Sequence, residues 1–492
     1  MTPKQLLFLL TVFTSLNGFS RPCREVIAYF PSWKWYHRQQ FVNPATIDYS
    51  KYTAINYAFF QPNPDGSVST FDPVADKTLL LGNFRPDAPA GYRNSRDFGQ
   101  PYWHDGNTSL VKKAHSQGLK VLISIGGWTL SQHFSSISAS REKRRRFAHS
   151  CNEMIRVYGI DGIDIDWEYP NFKGTGGSPA DRQNFTLLLR EIRDSLDALE
   201  AQTNQKLLLT AAFGVAPTRM ADIEWTYVTP LLDFINLMTY DFYGTDFSVT
   251  NHHSPLFSPA KGLNGFDLHS VVHHLMERYA VPPEKINIGL AFYGRSLKTN
   301  GRPGLHVTSG KTPDTATFPE DSGSPMFYNI LSRIQQFNYF WDSLAQAPYL
   351  QGKKSNTFVS FDDEQSIGKK ARYILDHNLA GAIIWDLTGD YVQSRYRTDL
   401  PAHTPLANAL QSVLCGQEIP FEWDERVAEI EIPDLLPPCW SKVQRKSFGP
   451  RVTQSSLPLS KKELRKEKKK EKRKKRRNKP KGVPDKYFNG GY

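Results

Sequence analysis

The stretch DGIDIDWEYP, residues 161–170, places four acids, Asp161, Asp164, Asp166 and Glu168, within eight positions of an otherwise apolar segment. On a β-strand successive side chains alternate faces, so Asp164, Asp166 and Glu168 share one face while Ile163, Ile165 and Trp167 share the other. The apolar face must pack on other elements, which leaves three acids in a row pointing into the interior the sheet encloses. Burying a single unpaired carboxylate is already costly, so structure alone does not account for the row. Three readings follow: a solvated acidic edge, a carboxylate metal site, or proton chemistry. A solvated edge fits poorly between apolar runs, and no His or Asn stands at a spacing that would complete a metal site. Like charges this close cannot all ionise, so one proton is retained and the last acid, Glu168, becomes a candidate general acid.

The segment is one of eight short runs rich in β-branched and aromatic residues: 25–30, 54–60, 120–127, 162–168, 206–214, 234–242, 285–294 and 380–389. Stretches with apolar residues three and four apart, such as 181–202 and 269–280, lie between them. Eight strand-helix units predict an α/β fold, a (β/α)8 barrel with its site at the C-terminal ends of the strands. Residues 61–106 are too long for a simple βα loop and should cover the barrel mouth, and residues 296–360 should form a small α+β insertion between strands seven and eight.

Residues 1–20 combine an early lysine, an apolar run at 6–13 and small residues before Arg21, the pattern of a secretory signal. Export agrees with four cysteines, Cys23, Cys151, Cys415 and Cys439, which allow three pairings, Cys23 with Cys151 and Cys415 with Cys439 being the one favoured here, and with glycosylation sequons at Asn107 and Asn184. The net charge of +12 lies entirely in residues 461–481, which hold fifteen Lys or Arg and three Glu. The body of the chain is neutral, so nucleic acid is not the primary partner. The chain therefore divides into a signal (1–20), a barrel (21–415), an acidic Pro-containing extension (416–440) and a basic tail expected to be disordered (441–492). The tail could hold the molecule on an anionic surface.

DGIDIDWE resembles the DxxDxDxE signature of glycoside hydrolase family 18, the chitinase family. Four further motifs resemble the family in barrel order: SIGGW (124–128), MTYDFYG (238–244), YGRS (293–296) and IIWDLTGD with Trp385. The likeness covers about residues 24–412 and implies a secreted, monomeric enzyme without cofactor or metal that cuts chitin or chito-oligosaccharides. In this family the nucleophile is the carbonyl oxygen of the substrate's own N-acetyl group. The resemblance makes Glu168 the acid/base and gives the acetamido N–H to Asp166, which shares a proton with Asp164. Tyr240 would hold the acetamido carbonyl, and Met238, Asp241, Tyr293 and Arg295 would line the same sugar site. Trp385 would lie under the reacting sugar, Trp128 beside the leaving group, and Tyr29, Trp33 and Phe59 along the non-reducing side. Asp161, Ser124, Gly126 and Gly127 would support the motif geometry rather than touch substrate. Two rivals remain open: a silent chitin-binding lectin on the same barrel, and an endo-N-acetylglucosaminidase acting on another N-acetylated glycan.

Overall fold

Eight parallel strands pair in chain order and close on themselves. They are β1 (Glu25–Pro31), β2 (Ala54–Pro62), β3 (Lys120–Gly126), β4 (Gly162–Asp166), β5 (Leu208–Phe213), β6 (Phe234–Leu237), β7 (Ile286–Ala291) and β8 (Gly381–Trp385). Closure is made by β1, which pairs with β8 through Glu25↔Gly381 and with β2 through Ile27↔Ala54. The expected (β/α)8 barrel is therefore present. The computed structural model describes residues 24–37, 41–82, 109–319, 322–392 and 403–416. The signal, Cys23, Asn107, Cys439, the acidic extension and the basic tail lie outside the described residues.

The alternation read from the sequence decides which side of each strand meets the helices. Ile163, Ile165 and Trp167 are buried in the large cluster between barrel and outer helices, with Trp167 stacked on Phe134 at 5.3 Å and edge-on to Phe185 at 5.5 Å. Fully burying an aliphatic side chain of this kind stabilises by roughly 1.5–3 kcal/mol. Inside the barrel the filling is divided. Ile27, Leu122 and Ile383 make a small apolar cluster, whereas Asp164, Thr210, Asn236 and Asn287, also without exposure, form a polar side facing it.

Among the outer helices, Arg141–Tyr158 starts at Ser140, whose side chain accepts from Lys143 N–H, and stops at Gly159 with φ +67°. Asp181–Thr203 and Leu268–Tyr279 follow β4 and β6. Helix Glu364–Asp376, between β7 and β8, opens with a reciprocal cap between Asp363 and Ser366.

Two elaborations rise from the strand ends. After β2 the chain folds back as the antiparallel strand Val68–Thr70 and the helix Pro73–Leu81. After β7 a five-stranded antiparallel sheet forms, in the order Ser309–Pro313, Arg295–Thr299, Thr357–Ser360, Ala347–Gly352 and Phe337–Asp342, together with helix Phe327–Ser332.

The expected Cys23–Cys151 bridge is corrected: Cys151 is a free thiol, fully buried on the core side of helix Arg141–Tyr158. No disulfide forms among the described residues, and the Sγ of Cys415 lies 3.6 Å from Gln411 Oε1. Asn184 sits half-buried in the first turn of helix Asp181–Thr203, and the hydroxyl of its sequon residue Thr186 donates to Glu224 at 2.8 Å. Among the described residues no helix is long and apolar enough to cross a membrane.

Candidate active site

The four acids of the opening stretch occupy four different environments along β4. Asp161, before the strand, accepts from His115 Nε2 at 2.7 Å, Val121 N–H at 2.8 Å and Lys120 Nζ at 3.0 Å, tying the foot of β3 to β4. Burial acts to raise its pKa, but these partners prevail and lower it. Asp161 is thus a structural anchor at the end of the barrel away from the mouth.

Asp164 has no exposure and accepts from four side chains: Thr210 Oγ1 at 2.5 Å, Ser124 Oγ at 2.7 Å, Tyr29 Oη at 2.9 Å and Asn236 Nδ2 at 3.2 Å. Burial raises its pKa, and the donors oppose that rise. Asp166, one layer higher, is 4% exposed, and its Oδ1 has no hydrogen-bond partner among the described residues. Burial, then the charges of Glu168 and Asp164, lift its pKa well above the usual carboxylate range. A buried acceptor left open at a barrel mouth is prepared for a donor from outside the chain.

Glu168 lies two residues beyond the end of β4, half-buried at the rim. Its N–H donates to Ser131 Oγ at 2.9 Å, while that hydroxyl donates to Gly127 O at 2.8 Å. Burial, reinforced by the charge of Asp241 and opposed by a hydrogen bond from Tyr169, pushes its pKa up to about 7. The strand-three glycines are required here. A side chain at Gly126, where φ is +114°, would collide with Asp166 O, and one at Gly127 would come within 2.6 Å of the Phe59 ring.

Across the mouth, Tyr240 and Asp241 follow β6. Burial, then the charges of Asp166, Asp241 and Glu168, raise the Tyr240 phenol far above its ordinary pKa, so it remains a donor. Its ring stands 6.1 Å from that of Tyr293, and a Cβ at Gly289 would come within 2.7 Å of it. Arg295, at the start of the inserted sheet, grips Asp241 with Nε at 2.6 Å and Nη2 at 2.5 Å. Against burial, Arg295 and then His253 hold the Asp241 carboxyl well below its usual range. Met238 is half-buried just past β6, its N–H bonded to Phe213 O at 3.0 Å.

The aromatics divide into a floor and a wall. Trp33 stacks on Phe59 at 5.8 Å, and Phe59 stacks on Trp385 at 5.7 Å. Tyr29 contacts Trp385 at 5.5 Å but is 1% exposed and spends its hydroxyl on Asp164. It supports the acids from below and does not line an open cleft, which changes the place expected for it. Phe59, 6% exposed, is likewise an underlayer. Trp128, at 58% exposure, is the open face, with Phe172 at 5.9 Å and Tyr169 at 6.4 Å beside it. Three peptide bonds at this rim are cis: Ala58-Phe59, Glu168-Tyr169 and Trp385-Asp386.

Several contributors were not singled out from the sequence: Thr210, Asn236, Ser131, Tyr169 and His253. Thr210 and Asn236 did leave a signal, each being a lone polar residue inside an apolar strand run. His253 is fully buried behind Asp241, its Nδ1 3.6 Å from the carboxylate, and lies in a loop whose sequence gives no periodic cue.

The profile described as "Glycosyl hydrolases family 18" matches residues 25–390. Chitinase A1 of Niallia circulans is 34% identical over 413 residues, 77% of this chain and 58% of that protein. A probable endochitinase of Caenorhabditis elegans is 29% identical over 415 residues, 82% of this chain and 61% of its own length. The chain thus spans about three fifths of these two relatives. Among solved structures, the Group IV chitinase of Ostrinia furnacalis in complex with allosamidin superposes with a TM-score of 0.67 at 27% identity, covering 80% of this chain and 99% of that one. With the profile spanning the whole barrel and the acids of β4 in place at its mouth, the chain belongs to the glycosyl hydrolases of family 18.

Proposed function

We propose that this protein is a chitinase, hydrolysing β-1,4 links between N-acetylglucosamine units with retention of configuration. The observation that carries the reading is the open, buried acceptor on Asp166 beside the Glu168 carboxyl at the rim, whose pKa burial pushes up to about 7. Chitin carries an amide donor and a leaving oxygen on the same sugar, the two groups such a pair would serve.

In the proposed reaction the acetamido carbonyl oxygen attacks the anomeric carbon while the Glu168 proton passes to the departing glycosidic oxygen. With the shared proton held on Asp164, Asp166 accepts the acetamido N–H as a carboxylate and offsets the positive charge that spreads onto the amide. Tyr240, held protonated, donates to the acetamido oxygen and keeps it below the anomeric carbon. Glu168, now ionised, takes a proton from the water that opens the oxazolinium ring, and the product is the β-anomer. The Trp33–Phe59–Trp385 stack and the exposed Trp128 supply flat apolar surface for sugar faces. Secretion belongs to the same proposal and rests on the pattern of residues 1–20.

Turnover of a fluorogenic chitotriose glycoside by wild type and by Glu168→Gln, with chito-oligosaccharide binding measured on both, tests this reading. Wild type is expected to cleave, and the variant to bind with kcat lower by about 10²–10⁴-fold. A wild type that binds without cleaving would make the protein a lectin. Cleavage confined to the N,N′-diacetylchitobiose core of N-glycans would move it to the endo-N-acetylglucosaminidases.

A further inference from the structure

Outside the barrel, three histidines converge from two outer helices. His269 and His273 stand four residues apart on helix Leu268–Tyr279, with ring centroids 4.1 Å apart, and His377 caps the C-terminus of helix Glu364–Asp376, 5.7 Å from the His273 ring. One ring nitrogen from each lies within 4.8 Å of the other two. None of the three takes part in the site at the barrel mouth.

The opposite ring nitrogens show how the imidazoles are oriented. His377 Nδ1 is 3.0 Å from the carbonyl oxygen of Tyr373, which can only accept, so this nitrogen carries the proton and Nε2 keeps its lone pair. His273 Nδ1 is 3.1 Å from Glu277 Oε1, which fixes the same tautomer. His273 Nε2 is buried without a hydrogen-bond partner among the described residues. His269 Nδ1 is 3.1 Å from the hydroxyl of Tyr373, whose ring also stacks on His377 at 3.8 Å. Each imidazole is thus held at Nδ1 by a neighbour, and a carboxylate or carbonyl in that position is the outer-shell arrangement that orients metal-binding histidines.

We propose that His269, His273 and His377 bind a divalent transition cation of the zinc class through Nε2, with Tyr373 and Glu277 as the orienting outer shell. Three neutral imidazoles suit zinc, nickel, copper or cobalt rather than magnesium or calcium, which require oxygen donors. Nitrogens around tetrahedral zinc lie about 3.3 Å apart, given Zn–N distances near 2.0–2.1 Å. The cluster closes to that spacing by small side-chain rotations of half-buried rings. The ion joins the helix before β7 to the helix after it, and solvent fills the fourth position. Its role is to fasten the outer layer; it supplies nothing to the chemistry at the mouth.

Untagged full-length protein, dialysed against a chelator, is titrated with Zn2+ by calorimetry and with Co2+ by visible absorption. Wild type is expected to bind one equivalent, to develop tetrahedral cobalt bands, and to gain thermal midpoint as Zn2+ is added. His273→Gln and His377→Gln should each lose at least tenfold in affinity, and Glu277→Gln about 10–100-fold. In chelator all three variants should melt within a few degrees of wild type. The chain holds thirteen histidines, so binding elsewhere is a real alternative. Unchanged stoichiometry and affinity in His269→Gln/His273→Gln/His377→Gln, or no bound equivalent in wild type, would overturn the proposal. If the triple variant does not fold, His377→Gln, at a helix end, decides the matter alone.

Discussion

Glu168 holds its proton on the acidic side of neutrality because burial, aided by the charge of Asp241, has moved its pKa to about 7. A general acid must be protonated to act, so kcat/KM on a chito-oligosaccharide is expected to fall as pH rises through about 7, with the slope of one proton. A profile that stays level to pH 9 would remove Glu168 from that role. The same shift has a consequence for stability. Between the ordinary glutamate value of 4.5 and about 7 the folded chain binds a proton that the unfolded chain releases, so this residue's contribution to stability declines as pH rises through that window. Glu168→Gln cannot ionise and escapes the decline. It is expected to be more stable than wild type by about 1–3 kcal/mol at pH 8 and equal to it at pH 4, as read from urea unfolding. At this scale the sequence displayed the acids, because a spacing of two places them on one face of a strand. It did not display what separates them: Asp164 is set apart by four donors from β1, β3, β5 and β6, and the partner of a buried group is a property of the closed barrel.

At the scale of the elements, β4 reads most clearly, since Ile163, Ile165 and Trp167 face one way and the acids the other. The strands were expected to be longer than they are: 162–168 is observed as Gly162–Asp166, and 234–242 as Phe234–Leu237. The difference falls at the C-terminal ends, where the chain leaves the sheet to form the rim. Glu168, Tyr240 and Asp241 all lie in the residues just past a strand. Two substitutions separate packing from chemistry. Trp167→Ala opens the outer layer beside Phe134 and Phe185 and should cost about 3–5 kcal/mol. Its KM should remain close to that of wild type at temperatures where it is folded. Gly126→Ala drives a Cβ against Asp166 O and should depress kcat even in protein that remains folded, measured by turnover alongside circular dichroism. The three-histidine cluster was half visible: 269 and 273 have the spacing of one helical face, but the third ligand comes from another helix and only the tertiary structure supplies it.

For the whole molecule, the barrel follows from eight apolar runs, because both strand faces are enclosed and each run must be rich in β-branched or aromatic residues. The inward polar residues of β5, β6 and β7 interrupt those runs singly without breaking them. One long-range contact fastens the rim to the outer layer. Lys370, fully buried on helix Glu364–Asp376, donates to both oxygens of Asp362 at 2.7 Å and to Ser254 O at 2.8 Å. Lys370→Met would leave the Asp362 carboxylate buried without its cation and is expected to cost about 3–5 kcal/mol. Lys370→Met/Asp362→Leu should recover much of that loss, with urea midpoints giving the comparison.

In the proposed reaction the substrate's own acetamido group displaces the leaving sugar on a barrel where Glu168 handles the proton. Proton NMR of the first products released from chitohexaose, taken before mutarotation, tests it most directly. The β-anomer should appear first, and the matching cello-hexaose, which lacks the acetamido group, should remain uncut. Initial release of the α-anomer, or cleavage of both hexaoses at similar rates, would contradict it.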